Sequence, residues 1–341
     1  IMNFPVGHIF PTRKDENLKY TSLKPWLEKS FILSDSKALN PAVESAFAFK
    51  AVFVNGDFKK ESSTLPEGVS VEFVETSVAH PQDSLVLLNT RFTKNTTVFK
   101  VLSKISQPLH MFFLTSAGGQ PSMNFPQVRI ELKEDSHLDF LVQHEGKDES
   151  FVSAWLEVKM AMGSRSECVI LQNQNQKSFQ YERVHFELQK LTQLRILSMA
   201  LGAQLSRSEV QIDIKGSDAR AELLGVYALT GTQQSDHYTS IRHLVGGSQT
   251  VQIYKGLLDG KSKGVFNGRV VIAADAQKAQ SEQLNKNLLL SSEAEVNSKP
   301  ELEIYADDVK ATHGSTIGQI QQEEVFYLQT RGINKEKAIQ L

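Results

Sequence analysis

Asp236, His237, His243 and His313, in the second half of the chain, are the residue types from which a metal centre could be assembled. A neutral imidazole is a competent metal ligand. Their spacing builds no local site, because no histidine pair stands at the i, i+4 interval of a helical zinc motif. An isolated strand histidine is more often a hydrogen-bonded structural residue. Phosphate chemistry has one candidate, Gly256-Leu257-Leu258-Asp259-Gly260-Lys261-Ser262. It is one residue short of the phosphate-loop pattern and lies between two strand-like segments, where no helix N-terminus would aim amides at a phosphate. Asp259-Gly260 reads instead as a turn. The single cysteine, Cys168, excludes an intramolecular disulfide and any all-cysteine metal site within the chain. Asn95-Thr96-Thr97 fits the glycosylation pattern, but without a secretory signal we read it as a polar turn. No Ser-His-Asp triad, paired-carboxylate hydrolase site or dinucleotide fingerprint stands out.

The whole chain sets bounds on what must position these residues. Its 341 residues are enough to bury a large core without staples. The hydrophobic share of 40% and charged share of 22% are ordinary for a globular protein. With 37 Lys and Arg against 39 Asp and Glu the net charge is -2, so no global electrostatic footprint points to nucleic acid or an acidic membrane. No run approaches the ~18 apolar residues that would span a bilayer, and the start lacks a signal-peptide pattern. A cytoplasmic protein is expected. The first methionine follows an isoleucine, so a clipped terminus is expected as well.

Early in the chain, Phe49 to Val54 alternates as a strand and runs into the tight-turn pair Asn55-Gly56, and Ser84 to Phe92 reads as one short helix. From Val98 onward helix periodicity gives way to short alternating segments. They include Val128 to Leu132, His137 to Val142, Val152 to Val158, Val184 to Leu188, Leu194 to Leu197, Glu209 to Ile214, Ala221 to Leu229, Thr250 to Tyr254 and Gly264 to Val270. Such spacing signals an all-β sandwich, barrel or solenoid. Helix signals return over Thr316 to Arg331, stopped by Gly332, with a second helix from Lys335.

A hundred-residue stretch breaks the tie. It carries Gly225-Val226-Tyr227, Gln233, Asp236, His243, Tyr254-Lys255-Gly256, Val265-Phe266-Asn267-Gly268, Asn285 to Ser291, Lys299-Pro300-Glu301-Leu302-Glu303-Ile304, Asp307-Asp308-Val309 and His313-Gly314. This order resembles the C-terminal half of the SufB/SufD family, scaffold proteins of the SUF iron–sulfur cluster assembly machinery. The Arg13-Lys14-Asp15-Glu16 to Tyr20-Thr21 segment is similar to the SufD branch, with Leu18 where a tryptophan is common. The resemblance implies a right-handed parallel β-helix. Val251, Ile253, Val265 and Val270 are then expected inside, with Gln252, Lys255 and Arg269 wet. The expected organisation is a mixed α/β segment at 1–97, the β-helix core at 98–316, and the start of a C-terminal helical region at 317–341.

The same resemblance implies a role. His313, in Ala311-Thr312-His313-Gly314, falls on the family's Cys-x-His-Gly segment, whose histidine is implied in holding a nascent Fe–S cluster shared with SufB. Ala311 replaces the cysteine, so this chain alone cannot supply a full ligand set. Gln233, Asp236 and His243 match a second family pattern, for which hydrogen bonding within coil turns is an equal reading. Asn285, Asn287 and Ser291 resemble turn residues stacked between coils. The partner edge is expected at Lys299, Pro300, Glu301, Leu302, Ile304, Val309, Thr312, Gly314 and Thr316. The implied partners are SufB as a heterodimer and the SufC ATPase through C-terminal helices, with a homodimer of the isolated chain and a reduced flavin in the complex as further expectations. The expected function is that of a non-catalytic scaffold. A carbohydrate-active β-helix enzyme and an assembly-only module without cluster contact are the alternatives.

Overall fold

The computed structural model describes residues 10–35, 43–76, 84–93 and 95–340; the chain start at Ile1-Met2 lies outside them. The first part holds α1 (Lys24–Leu27), β1 (Ile32–Leu33), β2 (Phe49–Val54), β3 (Asp57–Phe58), β4 (Val69–Glu75) and α2 (Ser84–Phe92). Then come β5 (Asn95–Val101), β6 (Leu109–Thr115), β7 (Ser122–Asn124), β8 (Gln127–Leu132), β9 (Phe140–Gly146), β10 (Ser150–Met160) and β11 (Arg165–Gln172). The regular part continues through β12 (Phe179–Leu188), β13 (Gln193–Ala200), β14 (Leu205–Ile214), β15 (Arg220–Leu229), β16 (Gln234–His243) and β17 (Gln249–Leu258). It closes with β18 (Lys263–Ile272), β19 (Gln280–Leu289), β20 (Glu295–Ile304), β21 (Lys310–Gln319), α3 (Gln322–Thr330) and α4 (Lys335–Gln340).

These strands build a parallel β-solenoid of about eight turns. One sheet runs β20-β18-β16-β14-β12-β10-β8-β5-β4 and the other β21-β19-β17-β15-β13-β11-β9-β6-β2-β3. Each coil adds one strand to each sheet, in register with the coil before. No strict sequence period accompanies this, because the turns differ in length. Ser150 stacks on Ser178, 28 residues on, whereas Thr250 stacks on Ser281, 31 residues on. The Asn55-Gly56 hairpin and the Ser84–Phe92 helix form as expected, with Asn55 and Gly56 at φ 51° and 92°. Asn95-Thr96-Thr97 is not a turn: it opens β5, with Thr96 and Thr97 buried. Nor does a helix begin at Thr316, since β21 continues to Gln319 on the hydrogen bonds of β19.

A second correction concerns which face is inside. Val251 and Ile253 point outward, while Thr250, Gln252, Tyr254 and Leu258 are buried in the core. Both phases of this strand mix polar and apolar residues, so alternation alone does not choose between them. The rings decide: Tyr227 and Tyr254 need interior volume, and glycines opposite supply it. A Cβ on Gly225 would stand 2.1 Å from the Tyr254 ring, and one on Gly256 2.3 Å from the Tyr227 ring. Val270 is inside, as expected, whereas Val265, of the opposite phase, is buried on the outer face of the first sheet in register with Asp236.

The N-terminal segment is strapped across the outside of the first sheet. Trp26 and Phe31 pack there with Phe151 and Phe179 in a second apolar cluster. Beneath the strap Arg207 and Asp236 are both 1% exposed and paired at 2.5 Å; Thr21 donates to Asp236 and Arg207 donates to the Asn17 carbonyl. Removing one partner of such a pair leaves a buried charge uncompensated.

Two stability changes follow. Gly225→Ala is expected to cost about 1–3 kcal/mol by overpacking, against about 0.5 kcal/mol or less for Gly318→Ala, whose Cβ would meet only ordinary contacts. Urea denaturation measures both, and equal midpoints would remove the interior rings as the reason for the glycine.

Candidate functional site at the last coil

The histidines do not converge. His237 lies on β16 inside the solenoid, stacked on Tyr227 at 4.7 Å and paired with Ser235 Oγ at 3.0 Å. Burial pushes its imidazole down to about 3. His243, at the end of the same strand, is held by Ser248 Oγ at 2.7 Å and Thr250 Oγ1 at 3.0 Å, and burial brings it to about 4. Both are neutral structural groups. Gln233 receives the Thr230 amide and donates to the Ala203 carbonyl, so it ties a turn. Asp236 belongs to the buried pair under the strap. The second family pattern is therefore hydrogen bonding between coils. Asn285 and Asn287 are not turn residues but inward positions of β19, where Asn287 Nδ2 donates to Asn285 Oδ1 at 2.6 Å and Tyr227 donates to Asn287. Ser291 does stand in a turn, donating to the Gly260 carbonyl of the coil before. The would-be phosphate loop is the end of β17 and the turn that leads into β18.

Sequence reasoning missed how polar the interior becomes. Gln283 Nε2 donates to Gln252 Oε1 at 2.8 Å, and Gln252 Nε2 to Thr239 Oγ1 at 2.5 Å. Further along the axis His144 Nε2 pairs with Glu182 Oε1 at 2.8 Å, both buried. Cys168 lies in this core. Burial raises its thiol well above the usual range, and the nearby carboxylates of Glu182 and Asp139 add to the effect. Such a thiol is a poor nucleophile and a poor ligand.

His313 is in a different place altogether. It sits on β21, exposed, in register with the buried Gln283, so it stands over the mouth of the polar interior. Lys310 and Ile320 donate back to the coil beneath. By the two-residue alternation of a parallel ladder, the amides of Ala311, His313, Ser315, Ile317 and Gln319 then face the free edge. In β20 the inward donors are Glu295 and Tyr305. Its even-numbered amides face outward, and Pro300 interrupts them, since proline has no N–H to offer.

The other nominated edge residues divide by face. Leu302 and Val309 pack partly against the core. Lys299 is already held by Glu16 at 2.5 Å and Glu301 at 2.7 Å. Pro300 and Ile304 cap the interior end of β20, and Thr312, Gly314 and Thr316 line the outer face of the last coil. Exposed Tyr305, Ile317, Phe326 and Tyr327 lie around this end.

A second cluster, Glu157, His185 and Glu187, places its ligand atoms within 4.8 Å of one another on the outside of the first sheet. Cations already occupy it. Arg129 pairs with Glu157 at 2.5 Å and Lys215 with Glu187 at 2.7 Å, while Arg242 and His185 both bind Asp213. Burial would raise the Asp213 carboxyl, but the His185 and Arg242 hydrogen bonds hold it well below the usual range. Each carboxylate there already has a cationic partner.

A polar-cored parallel solenoid that ends in an open rung, with the exposed His313 on that rung, defines a β-solenoid protein with an edge open to pairing. Residues 112–341 match the model of the family described as SUF system FeS cluster assembly, SufBD core domain, and the chain belongs to that family. Relatives include the iron–sulfur cluster assembly SufBD family protein slr0076 of Synechocystis, 27% identical over 95% of this chain and 79% of the relative. The iron–sulfur cluster assembly protein SufD of Escherichia coli is 27% identical over 97% of this chain and 82% of its own length. A SufBD family protein of Mycobacterium leprae is 32% identical over 46% of this chain. Family membership gives this chain a role in iron–sulfur cluster assembly.

Cys168 is expected to resist alkylation by iodoacetamide in the folded protein at pH 8 and to react fully in urea. Mass spectrometry reads the difference, and rapid native labelling would contradict its burial. A pH effect follows from the histidines. Their folded values lie below the ordinary ~6.5, so the unfolded chain binds protons first, and stability, complete above that value, falls as pH drops toward 4. His110, lowered by burial as well, acts in the same direction. The urea midpoint should hold from pH 8 to 7 and decline below about 6.5, with a shallower decline in His243→Gln.

Proposed function

We propose that this chain is a non-catalytic scaffold subunit of a SufB–SufC–SufD-type complex, acting in the cytoplasm, that pairs with a SufB-like partner through its last coil. The observation that carries this reading is the uninterrupted row of outward-facing amides on β21, beside the exposed His313. Strand addition to that edge satisfies five donors and brings the partner's side chains to the His313 imidazole. β20 contributes less, because Pro300 breaks its row.

In this reading the nascent cluster is cargo shared across the contact. His313 supplies one ligand, and Gly314 leaves room for a close approach. Ala311 offers no thiolate, and Cys168 is sealed in the core, so the remaining ligands come from the partner. A SufC-like ATPase binds through the helical region that begins with α3 and α4. The short homologous edge also permits a homodimer when the partner is absent. A reduced flavin is left to the complex rather than to this chain. Among the described residues no helix is long and apolar enough to cross a membrane.

The test is co-expression of this chain, as wild type or His313→Ala, with the SufB and SufC proteins of the same cell, followed by anaerobic iron and sulfide analysis. Wild type should form the complex and carry cluster, while His313→Ala should form the complex with several-fold less iron. A proline at Ser315, in the middle of the β21 row, should abolish pairing while leaving the isolated chain folded. Full cluster loading of the alanine variant would leave an assembly-only module, and failure of the wild type to pair would overturn the scaffold reading.

A further inference from the structure

Charges on the outside of the solenoid follow a rule. Residues at the same position of successive coils are in register, and where two of them are charged they are generally opposite. Arg195 pairs with Glu222 at 2.6 Å, Lys263 with Glu295 at 3.1 Å and Arg129 with Glu157 at 2.5 Å. Where like charges do share a rung, as Glu187 beside Asp213, each has its own cation, Lys215 and Arg242.

Lys255 and Lys286 break the rule. They are register partners on β17 and β19, both point outward, both are exposed, and neither has a carboxylate among the described residues. Two like charges directly in register, strands ~4.8 Å apart, repel. Their surroundings are equally unusual. On one side stand Ile253 and Leu284, half-buried, and on the other Leu257 and Leu288, 43% and 41% exposed, again in register. The patch thus reads aliphatic pair, lysine pair, aliphatic pair. It lies on the outer sheet face, one strand in from the open edge that the proposed function uses, with Lys286 in register with Thr316 of β21.

We propose that this patch docks an acidic amphipathic helix, with carboxylates neutralising Lys255 and Lys286 and flanking apolar side chains covering the two aliphatic pairs. The class of occupant follows from what the patch offers. Strands β17 and β19 are each paired on both sides, so no backbone donor or acceptor is free for an added strand. Only side chains remain to be read, which suits a helix laying one face on the sheet. The uncompensated lysines fix the sign of its charge. A second copy of this chain would bring lysines to lysines if it docked by the same patch, so self-association is disfavoured.

The experiment titrates the full chain with a synthetic amphipathic helical peptide bearing leucines and two glutamates, one turn apart, on one face, and with its counterpart bearing lysines. Fluorescence anisotropy gives affinity, and amide NMR shifts give the location. The acidic peptide should bind at β17 and β19 about tenfold or more tighter than the basic one, and more weakly as salt is raised. Lys255→Glu/Lys286→Glu, both exposed and far from the core, should reverse the preference, while Leu257→Ser should weaken both. The Ser315→Pro variant should leave peptide binding intact, which separates this patch from the edge. Equal binding of the two peptides, no binding of either, shifts mapping elsewhere, unchanged preference in the double variant, or patch-dependent dimerisation would each overturn the proposal.

Discussion

The constraint on which the rest depends is the hydrogen-bond demand of a stacked parallel strand. Each coil satisfies half of its backbone groups on the coil below and offers the other half to the coil above. Register is handed from coil to coil over about eight turns, so a side chain's neighbours are set chiefly by the residues one coil away and only weakly by those adjacent in sequence. The same demand leaves an unfinished edge at the last coil. Position in the stack therefore decides what a residue can do: Gln252 and Gln283 become internal links, and His313, one coil further on, is open to a partner.

The interior changes character along the stack. Toward the start it is an ordinary core of Phe53, Phe99, Ile130 and Phe140. Toward the end, rings and polar groups share it: Tyr227 and Tyr254 pack against glycines, Tyr227 bonds to Asn287, and Gln283 bonds to Gln252. Buried polar groups are stabilised by partners, and coil stacking supplies several of them here, Asn287 to Asn285 and Gln283 to Gln252 among them. The consequence is a neutral pair of histidines and an inert cysteine. The residue types that first look like chemistry are, with one exception, the material of the fold.

In the proposed reading, that exception and the exterior rungs are what carries function. A solenoid presents flat, repeating surfaces whose chemistry is written one residue per coil. Opposite charges in register make most of that surface self-satisfied. The open edge of β21 and the uncompensated Lys255–Lys286 rung depart from that rule, and the occupants we propose for them differ: a strand at the first, a helix face at the second.

Much was legible from residues alone. Alternating segments gave the strands, Asn55-Gly56 the hairpin, Ser84 to Phe92 the helix and Asp259-Gly260 the turn, because these depend on local propensity and local backbone geometry. The motif order from Gly225 to His313 gave the family. What tertiary structure decided were matters of phase and of distance along the chain. The strand from Thr250 to Tyr254 fits either face until the Tyr254 ring meets Gly225 of the coil before. Thr316 to Gln319 looks helical until β19 pairs with it. Asp236 resembles a site residue until Arg207, 29 residues away, and Thr21, 215 residues away, close on it. Sequence determines which segments become strands, since that is settled within a few residues. Which of their side chains meet is settled by stacking, one coil at a time, and only the folded solenoid brings those coils together.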